Sequence, residues 1–482
     1  MENNQTVEKE EYLSAKFRLK DNDKNGEFRP FVVDYKSHPS LRTIVKAFNN
    51  TDQIKLGYTT LDKGKGLVEP TMKKKDIYIT GGSLADHLKN KLVEEYDLVT
   101  DASPDEIRMI LSTKDSDLKE VRPPNLDIEN MSKYKNLPEM EARKRIFYAS
   151  RWDANHEEME FTVVIDSQKI FLATLNKNSK NRMLTPKKRY FTTSVEEDSF
   201  SRGLTILALY LKLKNDEGEN GELIDPHGGM FDLKNGTIEL IKQEENPFGK
   251  DPYLPLKIAK LASVYSGDKK IPSNILNKIK ENIQNLDVKK HVVKRYYISA
   301  IEDVDVPVDQ YLKNLVGSEL ITIIFPDMHI TDPVSDMPNG KIIPTALILQ
   351  NNIATKIDNV LTNFGWSKND IENIIKLTKL AQFCKHNYLN PHLIYDFFAK
   401  PSNLPNYLIK KFMSLLGKED LYSKIFGHDF SDVMKKYVEK EGKREVNPRL
   451  IHFLGRVPRT DEFEQVRQKL FDHEVKKLLA TN

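Results

Sequence analysis

The spacing of apolar and polar positions changes about halfway along the chain. In the first half, short apolar runs bounded by glycine and charged residues predict strands that alternate with helices. The predicted strands cover residues 77–80, 96–100, 161–165 and 170–175. After about residue 252, apolar residues recur three and four positions apart, which is typical of helices. The pattern therefore predicts an α+β region followed by an all-α half.

Helix signals support this division. The predicted helices of the first half cover residues 39–48, 84–93, 103–111 and 196–212, and residues 223–241 are predicted to form a turn flanked by strands. Ser103 is a predicted N-cap, with two acidic residues in the turn that follows it. In the second half, Ile374, Leu377, Ala381 and Cys384 lie on one face of a predicted helix. Cys384 is therefore expected to be a buried core thiol.

Composition narrows the classes of function. The 482 residues include 74 Lys and Arg against 71 Asp and Glu, so the net charge is only +3. This excludes a uniformly basic polyanion binder, and any nucleic-acid surface must be local. A single cysteine excludes an intrachain disulfide framework and a Cys-rich zinc site.

We expect no membrane association and a cytoplasmic location. No apolar run reaches the roughly 18 residues of a membrane span, and the first residues contain no apolar signal core. The richness in Lys, Asn and Ile suggests an AT-rich source genome. For a phage-encoded chain the expected location is the cytoplasm of the host.

The sharpest chemical feature is a glycine turn followed by two carboxylates. Gly81, Gly82 and Ser83 follow the first predicted strand. Asp97 lies in the next predicted strand, and Glu95 comes directly before its first residue. Side chains two apart on a strand point to the same face. Two carboxylates on one face suit divalent metal ions, and backbone N–H groups of a glycine turn at a helix N-terminus can hold phosphate oxygens. An acidic pair on a strand is more often a solvated face, so the interpretation depends on its context.

Four blocks of sequence supply that context. They are YITGGSLADHLKNKLVEEYDLVTDASPDEI at 78–107, VEEDSFSRGLTILAL at 195–209, LIDPHGGMFDLKNGTIEL at 223–240 and KDPYLPLKIAKLA at 250–262. Together they resemble the head-domain signature of the class II CCA-adding enzymes and bacterial poly(A) polymerases, in the order and at the approximate spacing of that family. The resemblance covers about residues 77–262, and the helical second half resembles the family's neck, body and tail only in class.

The resemblance implies a template-independent RNA nucleotidyltransferase that uses Mg²⁺ and two-metal phosphoryl transfer. It would add nucleotides (CCA or A) from ATP, with CTP as a second donor, to RNA 3′ ends, with tRNA as the expected acceptor. Carried over by position, Glu95 and Asp97 are the catalytic carboxylates and metal ligands. The expected nucleotide-binding residues are Gly81, Gly82, Ser83, Asp86 and Arg202. The block that contains Asp225 and the glycine pair at 228–229 is expected to be architecture that closes the head.

Several positions depart from the family pattern. Glu95 stands where the family has its first aspartate. Residues that lack the expected polar group are Ala85, Phe171, Gly203, Leu207 and Leu254, and Lys250 replaces an acid. In the family, the residues aligned with Lys250 and Leu254 read the edge of the incoming base, and leucine has no group that can do so.

These departures leave two alternatives open. One is a catalytically degenerate nucleotidyltransferase fold that acts as an RNA- or protein-binding module. The other is nucleotidyl transfer to a protein or small-molecule acceptor. The sequence indicates neither the base preference nor the oligomeric state.

Basic segments could contact an RNA backbone. Residues 176–189 contain no acid and six basic residues, which are Lys177, Lys180, Arg182, Lys187, Lys188 and Arg189. A solvated loop is an equally good interpretation of that segment. Residues 435–477 hold twelve basic and eight acidic residues, and four basic residues cluster at 289–295.

The predicted domain order follows from the resemblance and the change in periodicity. It is a partly flexible N-terminal extension (1–75), a nucleotidyltransferase head with a mixed sheet (76–245), a helical neck (246–302), a helical body (303–400) and a helical basic tail (401–482).

Overall fold

The computed structural model describes residues 39–56, 60–62, 66–68, 70–89, 91, 93, 95–113, 118–120, 145–152, 158–166, 168–176, 191–213, 221–241, 247–386 and 406–418. The chain divides into two compact units between Pro247 and Phe248. The basic residues of the 176–189 segment and of the 435–477 tail lie outside the described residues, as does the extension before residue 39.

The first unit is built on a mixed sheet. Its strands, in chain order, are β1 Thr60–Asp62, β2 Gly66–Val68, β3 Ile77–Thr80, β4 Glu95–Thr100, β5 Lys119–Glu120, β6 Ile146–Trp152, β7 Glu158–Ile165, β8 Gln168–Thr174, β9 Tyr210–Leu213 and β10 Leu223–Ile224. Among the described residues, eight of these form one sheet in the order β10-β9-β3-β4-β8-β7-β6-β5. The β4–β8 and β5–β6 pairs are parallel and the other pairs of this sheet are antiparallel. Strands β1 and β2 form a separate antiparallel pair.

Short helices accompany this sheet. They are α1 Pro39–Asn49, α2 Gly81–Leu88, α3 Pro104–Leu111, α4 Val195–Ser199 and α5 Gly229–Asn235. The apolar face of α1 is fully buried, with Leu41, Ile44, Val45 and Phe48 at most 1% exposed. The hydroxyl of Ser40 donates to the backbone oxygen of Ile165 at 3.2 Å. Helix α1 of the N-terminal extension is therefore packed into the first unit.

The regular secondary structure of the second unit is helical in its described residues. Its helices are α6 Pro247–Lys250, α7 Leu254–Tyr265, α8 Ser273–Asn282, α9 Lys290–Glu302, α10 Val308–Gly317, α11 Ile321–Ile324, α12 Ile342–Leu349, α13 Ala354–Asn363, α14 Lys368–His386 and α15 Asn406–Leu415. Cys384 is buried among the apolar residues of α14, and this burial raises the pKa of its thiol to about 11. The mixed sheet with a helical second half confirms the predicted α+β class.

Several predicted elements differ from the structure. The helix predicted at 84–93 is α2, which begins at Gly81 and ends at Leu88, and the strand predicted at 161–165 begins at Glu158. The predicted helix at 196–212 is wrong, because α4 ends at Ser199 and β9 begins at Tyr210. The predicted turn at 223–241 instead contains α5 between Gly228 and Gly236, both of which have positive φ. In the described ranges, no helix combines the length and the apolar character that a membrane crossing requires.

Candidate active site

The glycine turn joins β3 directly to α2. Gly81 begins the helix with a φ of +67°, a conformation that costs a residue with a Cβ about 1–2 kcal/mol. The hydroxyl of Ser83 donates to the backbone oxygen of Thr80 at 2.9 Å and accepts the N–H of Asp97 at 3.0 Å. Ser83 is buried and its hydroxyl is engaged within the protein, so it ties the turn to the next strand.

The two carboxylates lie on the same face of β4, as the spacing predicts. Asp97 is next to the turn, since a Cβ built on Gly81 would lie 3.1 Å from its Oδ2 atom. Glu95 is exposed, and its Oε1 lies 3.9 Å from the Nζ of Lys169 on β8. Exposed pairs of this kind contribute little, about 0–1 kcal/mol. The structure therefore brings Gly81, Ser83 and Asp97 together, with Glu95 at the more open end of the strand.

The environment of Asp97 makes its charge unfavourable. The pKa of its carboxyl is raised to about 6, mainly by burial, and the charges of Glu160 and Glu95 act in the same direction. The positive charge of Arg202 and a backbone hydrogen bond from Ser83 act in the opposite direction. A carboxylate that is ionised at neutral pH in such surroundings is stabilised by an added cation.

Glu160 is a residue that the sequence-based prediction missed. Parallel pairing sets Asp97 opposite Phe171, and antiparallel pairing sets Phe171 opposite Thr162. Glu160, two residues before Thr162, projects on the same face of the sheet as Asp97. The alternation of Glu158, Glu160 and Thr162 with apolar residues was the available signal, but the predicted strand started at residue 161 and left Glu160 out.

Arg202 is anchored by protein groups. Its Nε and Nη2 atoms donate to Oδ2 of Asp198 at 2.9 and 2.6 Å, and the hydroxyl of Tyr210 donates to the same oxygen at 2.6 Å. The other oxygen of Asp198 accepts the N–H of Asn176 at 2.7 Å. Burial opposes the charge of Arg202, but the adjacent Asp198 and Tyr210 raise its pKa above the ordinary value. Arg202 is thus a fixed cation whose field reaches Asp97.

Asp86, the remaining predicted nucleotide-binding residue, lies on α2. Its Oδ1 atom is 3.9 Å from the Nζ of Lys91, and its backbone oxygen accepts the N–H of Lys91 at 2.9 Å. Ala85, which precedes it, is fully buried, so that position presents no polar group to a ligand. The predicted role of Asp86 stays a prediction.

The block at 223–240 closes this part of the fold. The carboxylate of Asp225 accepts the N–H groups of Gly229 and Met230 at 2.8 and 3.0 Å and so caps α5. A Cβ on Gly229 would lie 2.1 Å from the backbone oxygen of Thr205, so only glycine allows this approach. The hydroxyl of Thr205 donates to the buried Asp232 at 2.5 Å. These contacts are structural, as the block's predicted role requires.

Glu95 and Asp97 have the chemistry of a divalent metal site. Carboxylate oxygens on one strand face are the ligands that Mg²⁺ prefers, and a cation would relieve the cost of ionising Asp97. Within the described ranges, no three His, Cys, Asp or Glu side chains form a group that could hold a metal ion. A site on β4 would therefore take its remaining ligands from water and from the substrate phosphates, which is usual for Mg²⁺.

Comparison with known proteins agrees with this geometry. Residues 77–239, which contain the glycine turn, both carboxylates and the Asp225 block, match the poly A polymerase head domain. This match covers about a third of the chain and includes most of the first unit's large sheet. The family resemblance predicted from the four sequence blocks is confirmed.

Relatives of this head domain come from several bacteria. The chain is 26% identical over 188 residues to a CC-adding tRNA nucleotidyltransferase of Halalkalibacterium halodurans, covering 39% of this chain and 34% of the relative. It is 24% identical over 188 residues to poly(A) polymerase I of Salmonella typhimurium, covering 39% and 34%. The matched part of the chain thus spans about a third of the length of these relatives.

Solved structures share the fold over more of the chain. The Thermotoga maritima CCA-adding enzyme, solved with tRNA, covers 92% of this chain and 99% of its own at 14% identity, with a TM-score of 0.52. A CCA-adding enzyme solved with CTP covers 92% and 96% at 15% identity, with a TM-score of 0.51. At this identity the likeness shows the fold alone, a mixed sheet with short helices followed by helical regions.

Proposed function

We propose that this protein is a template-independent nucleotidyltransferase that adds nucleotides from ATP, with CTP as a second donor, to the 3′ end of an RNA. The expected acceptor is tRNA and the expected location is the cytoplasm. The observation that carries the proposal is the position of Asp97, which lies against the Gly81 turn and on the same strand face as Glu95. Relatives named as tRNA nucleotidyltransferase and poly(A) polymerase support the choice of RNA.

Different residues of the head would bind the triphosphate and the metal ion. The backbone N–H groups of Gly81 and Gly82, at the start of α2, would hold triphosphate oxygens. Glu95 and Asp97 would hold Mg²⁺, which supplies charge stabilisation to the attacking 3′ oxygen and to the leaving pyrophosphate. Ser83 and Arg202 would act indirectly, the first by fixing the backbone of Asp97 and the second through its field.

Base selection rests on residues other than Leu254. That side chain is 2% exposed and packs in the core of the second unit, so it presents no group to a base. The nearby Asp251 accepts a hydrogen bond from the Nζ of Lys257 at 2.7 Å, which leaves a paired acid and base at this end of α7. We therefore propose nucleotide addition without a fixed order of C and A.

A second candidate is a binding module without chemistry. It is favoured by the apolar Phe171 opposite Asp97 and by the burial of Ala85, since both positions lack a polar group that could touch substrate. Calorimetry separates the two candidates, because an active site should bind ATP in a Mg²⁺-dependent manner and a degenerate one should not.

The activity is tested with labelled ATP and CTP, Mg²⁺ and a panel of acceptors. The panel holds tRNA, oligo(A), a carrier protein and no acceptor. Label should enter tRNA or oligo(A) at the 3′ end and be absent when EDTA replaces Mg²⁺. Label in the carrier protein would favour a protein acceptor. If the protein is folded and no acceptor becomes labelled, the proposed enzyme activity is rejected.

A further inference from the structure

Two stacked tyrosines lie in the second unit. Tyr253 precedes α7 and Tyr296 lies in α9, and both are partly exposed. Their ring centroids are 5.8 Å apart and their planes differ by 24°. The Nζ of Lys257 lies 5.9 Å from the centroid of the Tyr296 ring, which is a cation–π distance. We call these three residues the tyrosine platform.

Hydrogen bonds hold the platform in place. The hydroxyl of Tyr253 accepts the backbone N–H of Lys289 at 3.0 Å. Asp251 accepts the N–H of Tyr253 at 3.1 Å and the Nζ of Lys257 at 2.7 Å, so one carboxylate positions two platform residues. These bonds hold Tyr253 and Lys257 in place, which reduces the entropy that a ligand must offset on binding.

The surroundings of the platform are positively charged. Residues 287–296 contain four basic residues and one acid, Asp287. Lys289, Lys290 and Arg295 are exposed, and none of them forms an ion pair within the part of the chain that the structure describes. The first turn of α9 also contains no acid, so the positive charge is not neutralised locally. An anionic partner fits this surface.

We propose that the tyrosine platform binds the unpaired 3′ segment of a single-stranded RNA. Exposed aromatic rings stack on bases that are free of pairing, and nearby lysines follow the phosphate backbone. A duplex hides the faces of its bases, and an acidic protein segment would use the lysines but leave the stacked rings without a role. The inference rests on the RNA acceptor of the proposed function and adds the place where that RNA is held.

Binding of a labelled single-stranded RNA of about 12 nucleotides tests the platform directly. Fluorescence anisotropy is measured on the full chain without nucleotide or Mg²⁺. Tyr296→Ala should weaken binding about 5- to 150-fold, because one base loses its stacking partner. Tyr296→Phe, which keeps the ring, should bind within about twofold of wild type. The double variant Lys289→Gln/Lys290→Gln should bind RNA with an affinity that depends less steeply on salt concentration.

Tyr407→Ala is the matched control, because Tyr407 is 70% exposed and lies outside the platform. It should bind as wild type does. Melting temperatures of all variants confirm folding. The RNA-binding role of the platform is rejected if Tyr296→Ala and wild type bind the RNA with equal affinity. It is also rejected if the protein binds an acidic peptide in a ring-dependent manner and does not bind RNA. If RNA binding depends on the Tyr296 ring but the protein transfers no nucleotide, the RNA-binding role of the platform is supported and the proposed enzyme activity is rejected.

Discussion

Asp97 is the residue on which charge and burial conflict. Its pKa in the folded protein is about 6 and its ordinary value is 3.8, so the folded state binds the proton more tightly than the unfolded state. The stability that this residue contributes is present below pH 3.8 and is lost as the pH rises through about 6. At neutral pH and without a cation, the ionised carboxylate opposes folding by about 2–3 kcal/mol.

Asp97→Asn should therefore stabilise the metal-free protein at pH 7.5 while it removes the proposed metal ligand. The expected gain is about 2–3 kcal/mol, and it should shrink as the pH falls towards 4, where the wild-type carboxyl is protonated. Thermal melts in EDTA across this pH range measure it. Addition of Mg²⁺ should raise the melting temperature of wild type and leave Asp97→Asn unchanged.

Asp105→Asn is the control for this comparison, because the Asp105 side chain is 73% exposed on α3. It should change stability by less than about 0.5 kcal/mol. A wild type that melts at the same temperature with and without Mg²⁺ would show that the carboxylates on β4 hold no metal.

Arg202 was predicted to touch the nucleotide, and its contacts in the structure indicate a positioning role. Asp198, its partner, is 3% exposed, so Arg202→Gln leaves a buried carboxylate without its cation. We expect a loss of stability of about 3 kcal/mol or more, measured by thermal or chemical denaturation. A variant that folds as wild type does but has a raised KM for ATP would instead support direct contact with the triphosphate.

Lys280→Gln is a matched control for this loss, because the Lys280–Glu319 pair is 3.5 Å long and exposed on both sides. It should cost at most about 0.5 kcal/mol.

At the scale of elements, the strand–turn–helix from β3 to α2 determines where Asp97 can lie. Gly81→Ala should lower the melting temperature by an amount equivalent to about 1–2 kcal/mol, because φ is +67° and the new Cβ would press on Asp97. Gly82→Ala is the control, since a Cβ there meets nothing within 4 Å. Equal stabilities of the two variants would contradict the close approach of the turn to Asp97.

Elements with a strong local signal could be predicted from the sequence. Ser103 caps α3 through a capping box, and α1 and β3 lie within a residue or two of their predicted bounds. The failure at 196–212 has a physical cause. Gly203 adopts a φ of +77°, which ends helical geometry, and Tyr210–Leu213 gains more by pairing with β3 than by continuing a helix. Helical periodicity alone does not reveal that pairing.

The candidate site was predictable where its residues lie near each other in sequence. Gly81 and Asp97 belong to neighbouring elements, and the two-residue spacing placed Glu95 on the face of Asp97. Glu160 and the Asp198–Arg202–Tyr210 contacts depend on strand register and on long-range packing, which a single sequence does not encode locally. Their roles could be assigned only once β7 and β9 were positioned in the sheet.

At the scale of the whole molecule, the near-zero net charge is distributed unevenly. The carboxylates at 95, 97 and 160 share one face of the sheet in the first unit, and the second unit presents basic residues beside the tyrosine platform. The first surface suits a metal and a triphosphate, and the second suits an RNA strand. The two proposals therefore concern separate ligands and can be tested separately.

Asp97 is the residue through which we propose that the protein adds nucleotides to RNA 3′ ends. The most direct measurement is sequencing of the 3′ ends of tRNA that has been incubated with the protein, Mg²⁺ and all four nucleoside triphosphates. Wild-type protein and Asp105→Ala should both leave added nucleotides, and Asp97→Ala should leave none while it remains folded. Unextended 3′ ends with wild-type protein, or extension that persists in Asp97→Ala, would contradict the account.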